Sequence, residues 1–265
     1  MVVTERAIGY KTGQTFYLKP IFDVHLGKAA CDVKAFKAFL ADSDENTYFI
    51  GGGDLYDSVV VTDPRYRKSQ DNTVGDAVVD RQIDRGVALL EPYRERLLGL
   101  CAGNHEDVVT KKCGTNMTQR TCDALGVPFL GYSGLYRLRF SENGGRGRKL
   151  VIRYHHGWGG GSRTQGADLT KYSKDMQYWD ADLFLYGHVH RRQTDKVDRL
   201  GLCGKKIVPR PKWMCICGTF LKTYTATSDP TYSEIKGYPP VSVGGVVVEI
   251  KPMTRGWMNI KAYQS

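Results

Sequence analysis

The chain has 265 residues, 41% of them hydrophobic and 25% charged, an ordinary globular composition in which nothing approaches the roughly 18 apolar residues of a membrane span. Its seven cysteines are odd in number, lack framework spacing and form no Cys-x-x-Cys pair, which excludes a disulfide scaffold and a zinc knuckle. The formal charge of +10 favours anionic partners, either nucleic acid or phosphorylated substrates.

In chain order, the first ten residues carry Glu5 and Arg6 and no apolar core, so no secretory signal is read and a reduced, cytoplasmic protein is expected. Residues 15–22 read as a strand ending at Asp23, and Val33, Phe36 and Leu40 mark an amphipathic helix. Residues 47–50 form a short apolar strand that breaks at Gly51-Gly52-Gly53. Residues 60–75 are a long polar loop. Val79, Ile83, Val87 and Leu90 then give a second helical stripe, closed by Pro92.

Residues 97–101 predict another strand, stopping at Gly103-Asn104. Residues 135–140 and 149–155 flank Asn143-Gly144-Gly145, a hairpin signal. Leu169, Tyr172, Met176 and Trp179 form a third helical stripe with a packing role, and residues 183–186 are a strand ending at Gly187-His188. Three strand-like runs follow, at 213–220, 241–250 and 257–263, while residues 222–240, rich in Thr, Tyr and Pro, are expected to wrap the surface.

Histidine is spent in one place. All six lie in or beside five short motifs: Asp23-Val24-His25, Asp54-Leu55-Tyr56-Asp57, Asn104-His105-Glu106, His155-His156-Gly157 and His188-Val189-His190. Neutral imidazole is the commonest metal ligand and a proton shuttle near pH 7. Asp23, Asp54, Asn104, His156 and His188 each fall just past a predicted strand end, where ligands bind in α/β sheets. The motifs run from Asp23 to His190, so a single domain over 1–265 is expected to converge on one site.

The donors are mixed oxygen and nitrogen without thiolate, which suits Mn2+, Fe or Zn2+ and disfavours a structural zinc or calcium site. They are too many for one ion. Two ions about 3.5–4 Å apart activate water and stabilise the oxygens of an in-line phosphoryl displacement.

The ordered set D-x-H, G-D-x-x-D, G-N-H-E, H-G and G-H-x-H resembles the calcineurin-like metallophosphoesterase superfamily, with every motif intact across residues 23–190. The resemblance implies an α/β fold, a four-layer α/β/β/α sandwich of two mixed sheets with a dinuclear site at its edge. By motif position it places Asp23, His25 and His190 on the first metal, Asp54 as the bridge, and Asn104, His156 and His188 on the second. It makes His105, oriented by Asp57, the proton donor to the leaving oxygen or a stabiliser of the transition state. Activated water, not a side chain, is the implied nucleophile. Two divalent ions are expected, Mn2+ first, with Fe, Zn2+ or Ni2+ as the other candidates. His156 is favoured over His155 because it precedes the glycine, and Glu106 is given a hydrogen-bonding role.

For the substrate, Trp158 within Gly157–Gly161 is a candidate for stacking, the alternative being a tight loop with a packed tryptophan. Arg65, Arg67 and Lys68 around Tyr66, Lys111 and Lys112, and Arg191 and Arg192 lie close in sequence to the motifs and are candidates for an anionic backbone, although charge runs are more often solvated faces. The expected function is a metal-dependent phosphodiesterase or phosphatase acting on an anionic phosphoester. A DNA or RNA nuclease resembling the double-strand-break repair nucleases is one alternative, though only about 75 residues follow His190. A non-catalytic scaffold is the other, disfavoured because no ligand is missing. Gly218-Thr219-Phe220, Tyr232-Ser233-Glu234 and Gly237-Tyr238-Pro239-Pro240 are loosely similar to small phage-encoded phosphoesterases.

Overall fold

A computed structural model of the chain describes residues 1–58, 78–142, 147–226, 229–253 and 258–265. The first half contains β1 (Val2–Gly9), β2 (Phe16–Ile21), α1 (Val33–Ala41), β3 (Thr47–Gly52), α2 (Val78–Leu90) and β4 (Leu97–Cys101). It continues with α3 (Asn104–Cys113), α4 (Met117–Leu125), β5 (Ser133–Ser141) and β6 (Arg148–His155). Next come α5 (Ala167–Ser173), β7 (Leu183–Tyr186), β8 (Arg192–Val197), β9 (Leu200–Cys203) and β10 (Lys206–Pro209). The chain closes with β11 (Lys212–Cys217), the short α6 (Tyr232–Ile235), β12 (Val246–Lys251) and β13 (Asn259–Gln264).

The strands form two mixed sheets, ordered β1-β5-β6-β7-β11-β8 and β13-β12-β2-β3-β4, plus a separate β9-β10 ribbon. Period-two alternation sends successive side chains to opposite faces, and this builds the layers. Leu183 and Leu185 of β7, Cys215 and Cys217 of β11, and Val246, Val248 and Ile250 of β12 meet in a core between the sheets. The alternate residues Phe184, Tyr186, Met214 and Ile216 face α5. Phe49, Leu97, Leu100 and Val247 face α1, α2 and α4 on the other side. Three cores separate four layers, an α/β/β/α sandwich.

The helices follow their caps. Asp32 accepts from the Ala35 amide to start α1, and Asn116 accepts from Gln119 to start α4. α3 has Glu106 and Asp107 in its first turn, Lys111 and Lys112 in its last, and Gly114 at φ 68° after it. That order complements the helix dipole. Sequence periodicity did not mark α3, because Glu106 and Val109 are its buried residues and no apolar stripe exists. It also passed over β1, a parallel edge strand in which Ile8 alone is buried, and α6 within the stretch expected to wrap the surface.

β5 and β6 pair antiparallel as the hairpin signal implied; its turn, the 60–75 loop with Arg65, Tyr66, Arg67 and Lys68, and Trp257 lie outside the described residues. Among the described residues no helix is long and apolar enough to cross a membrane. The sandwich places the ends of β2, β3 and β4 beside those of β6 and β7, so motifs from both sheets meet at one edge.

Candidate metal centre

The backbone at this edge is strained in a pattern. Among the described residues, six non-glycine residues have positive φ, and five of them are motif residues: Asp23 (49°), His25 (56°), Asp54 (52°), His188 (71°) and His190 (59°). Such conformations cost on the order of 1–3 kcal/mol each and persist where the surroundings enforce them. Main-chain bonds do so here: the Asp23 amide donates to Gly53 O (3.1 Å), the His25 amide to Asp54 O (3.0 Å) and the Asp57 amide to Leu26 O (2.9 Å). The loops after β2 and β3 are thereby zipped together.

Two groups of donors result. In the first, His25 Nε2 and His190 Nε2 are 3.1 Å apart, and Asp23 Oδ1 lies 4.0 Å and 3.6 Å from them. Asp23 is fully buried; its Oδ2 accepts from the His188 amide, but Oδ1 has no hydrogen-bond partner. A buried carboxylate oxygen left without a donor is costly, and a cation between it and the two imidazoles satisfies all three atoms. Burial lowers the pKa of His25 and His190, reinforced at His190 by His25, so both rings are held in the neutral, ligating form.

In the second, Asn104 Oδ1 lies 2.9 Å from His156 Nε2 and 2.8 Å from His188 Nδ1, with Asp54 Oδ2 3.3 Å from His156 Nε2. His156 Nδ1 is 3.1 Å from the Gly52 carbonyl, which only accepts, so Nδ1 carries a proton. The Nε2 lone pair of a neutral ring would then face two oxygens. Burial lowers the His156 pKa, but Asp54 and Asp23 outweigh it and push it up to about 9. A proton thus occupies the place between Nε2 and the oxygens that a cation would take, and cation binding would displace it. Burial, with His156 beside it, lowers His188 to about 4.

Asp54 joins the groups. Burial alone would raise its carboxyl, yet His156, His105 and His25 hold it well below the usual range. Its Oδ1 accepts from the His105 amide at 2.9 Å, and a Cβ on Gly103 would stand 2.1 Å from that same oxygen. Only glycine fits there. The donor set of two carboxylates, one amide and four imidazoles fits Mn2+, Fe, Zn2+ or Ni2+.

His105 Nδ1 is fixed on the Asp57 main-chain carbonyl, which leaves Nε2 directed inward, 3.9 Å from Asp54 Oδ2. The Asp57 carboxylate is nearer to His25 Nδ1 (3.5 Å) and Lys28 Nζ (3.5 Å) than to His105 Nδ1 (3.8 Å). Asp57 thus holds His105 through its backbone, and its side chain braces His25.

Glu106 is the brace beneath the centre. It is fully buried, and its carboxylate accepts from the amides of Gly103 (2.8 Å), Asp54 (3.1 Å) and Tyr56 (3.0 Å). Burial and the nearby Asp54 push its pKa up to about 7. Glu106→Gln must turn an NH2 toward at least one of these amides, so a buried donor goes unsatisfied. The expected cost is about 1–3 kcal/mol of stability, read by chemical denaturation; an unchanged midpoint would remove the bracing role.

His155 is outside the centre. Its Nδ1 accepts from the Gly157 amide (2.9 Å), and its ring meets Trp158 and Tyr132 edge-on. Trp158, 37% exposed, also packs on Tyr172 and Tyr186 and borders a shallow depression with Lys171, Lys174 and Tyr178. It does not line the cavity above the centre. Arg191 does, held by Asp168 Oδ2 at 3.1 Å. Arg192 turns away to the carbonyl of Ser265, and Lys111 pairs with Asp107 on an exposed face.

The cavity has a volume of about 520 Å3, and residues 221–225 and 229–241 contribute to its lining, mostly within the stretch 222–240 expected to wrap the surface. Lys28 also lines it and was not singled out. Its position three residues past His25 was the available signal; nothing local marks the wall.

The four-layer sandwich with this motif set at its strand ends has the arrangement that the sequence resemblance to the metallophosphoesterases implies. No protein-family model and no curated protein matches the chain. Among solved structures, it is similar to the NAD nucleotidase of Haemophilus influenzae at 11% identity and a TM-score of 0.44, over 96% of this chain and 50% of that one. It is also similar to a metallophosphoesterase of Sphaerobacter thermophilus (11% identity, TM-score 0.40, 94% and 88% covered). A third is a predicted phosphoesterase of Streptococcus pneumoniae (10% identity, TM-score 0.36, 94% and 99% covered). None of these similarities carries information on substrate or activity.

Proposed function

We propose that this chain is a phosphoesterase that holds two divalent cations, Mn2+ first among the candidates, and hydrolyses phosphodiester bonds. Asp23, His25 and His190 would hold one ion, Asn104, His156 and His188 the other, with Asp54 between them. The observation that supports this is the partnerless Asp23 Oδ1 facing two neutral imidazoles beside a second group of converging donors. Bound there, the ions supply Lewis-acid polarisation of the phosphoryl oxygens and a more acidic water.

The chain's own residues do the rest. Water oxygen adds to phosphorus and releases a proton to solvent, the bond to the leaving oxygen breaks, and that oxygen takes a proton from protonated His105. His105 is placed for the transfer, because its Nδ1 is locked on Asp57 O and Nε2 faces the cavity.

The test is hydrolysis of an aryl phosphodiester, and of single- and double-stranded nucleic acid, by protein reloaded with Mn2+. Activity that appears with the metal and disappears with a chelator is the expected result. No hydrolysis of any phosphoester by protein carrying bound metal would overturn the proposal in favour of a binding scaffold.

A further inference from the structure

The cavity has two unlike sides. Its floor carries the charged donors of the metal centre, while residues 221–225 and 229–241 supply a wall that includes Leu221, Tyr232, Tyr238, Pro239 and Val241. We infer that this wall is a platform for a compact aromatic group, so that the substrate is a small phosphoester bearing a planar ring rather than a polynucleotide track. The inference rests on the phosphoesterase reading for the chemistry at the floor.

Tyr232 keeps 46% of its surface exposed although it lines a cavity, and its ring lies 6.4 Å from that of Tyr238 at 54°. Neither tyrosine belongs to one of the three buried cores. The segment that carries them is cross-braced. Thr231 caps α6 by accepting from the Glu234 amide and itself donates to Thr223 O. The Tyr238 amide donates to Ser233 O (2.9 Å), Tyr224 Oη to Tyr238 O (2.8 Å), and the Val241 amide to Thr223 Oγ1 (3.1 Å). Rigid aromatic surface beside a phosphate site binds a ring with little loss of conformational freedom.

Charge points the same way. Among the described residues the cavity is lined by three cations, and each is already matched: Lys28 with Asp57 (3.5 Å), Arg191 with Asp168 (3.1 Å) and Lys222 with Asp32 (3.0 Å). A polyanion track needs Lys and Arg available to phosphates. The volume of about 520 Å3 is that of a small-ligand site.

The test compares phenylphosphonate with methylphosphonate as ligands of the Mn2+-loaded protein, by calorimetry and by competition against methyl p-nitrophenyl phosphate. Phenylphosphonate is expected to bind roughly tenfold more tightly. Tyr232→Ala and Tyr238→Ala should bring the ratio toward one, and Tyr232→Phe should keep it. A ratio near one in the unmodified protein, a ratio unchanged in both alanine variants, or duplex cleavage as fast as that of the small ester would overturn the inference. Preferential phenylphosphonate binding without any hydrolysis would leave the platform standing and sink the phosphoesterase reading alone. Binding of neither ligand would sink both.

Discussion

Asp54→Asn is expected to abolish turnover and the binding of cations at both positions. The reason is its place. Asp54 Oδ2 lies 3.3 Å from His156 Nε2, 3.9 Å from His105 Nε2 and 4.0 Å from His25 Nε2, so one carboxylate faces both donor groups. Asparagine keeps the shape but removes the charge. Loss of an outer partner of a metal ligand already costs roughly 10–100-fold in affinity, and loss of a shared ligand should exceed that.

Three carboxylates crowd this region. Asp23 is pushed well above its usual range, first by burial and then by charges that include Asp54 and Glu106. Removing the Asp54 charge eases Asp23 but takes away the partner of the buried His156, so the metal-free variant is expected to melt lower. Thermal melting with and without Mn2+ separates the effects: ligand binding to the native state raises the midpoint, and that rise should vanish in the variant. Near-wild-type turnover, or a persistent Mn2+ shift, would remove Asp54 from its bridging place.

His105→Ala should do the opposite, keeping the Mn2+-dependent rise in melting temperature while losing rate. The main-chain amide that donates to Asp54 Oδ1 survives the substitution, so the ligand loop is not released. What disappears is the imidazole anchored on Asp57 O with Nε2 toward the cavity. Removal of a general acid typically costs about 10²–10⁴ in rate. The loss should shrink for esters with good leaving groups, which need little protonation, and equal losses across a leaving-group series would refute proton donation.

Much of the scaffold was legible because its signals are local. β7, β11 and β12 announce themselves by apolar runs, and α1 and α2 by stripes that return every three or four residues. α3 escaped because its determinants are a charge order and a glycine cap, with Val109 as its single buried apolar residue. β1 escaped because an edge strand buries little. The wall of the cavity escaped for another reason: Tyr232 and Tyr238 have no periodicity, and their meaning lies in what they face.

By itself the sequence determined the donor types, their order and their placement after strands, since each motif is a short run at the point where a local pattern stops. The tertiary structure alone decided which atoms meet. Asp23 and His190 come together across 167 residues because two sheets share one edge, and left-handed backbone at five motif positions turns the side chains inward. It also decided that Glu106 braces three amides, that Trp158 sits outside the cavity and that residues 221–225 and 229–241 line it. Such facts depend on packing between distant segments, and local propensity carries no record of which distant surface a side chain will meet.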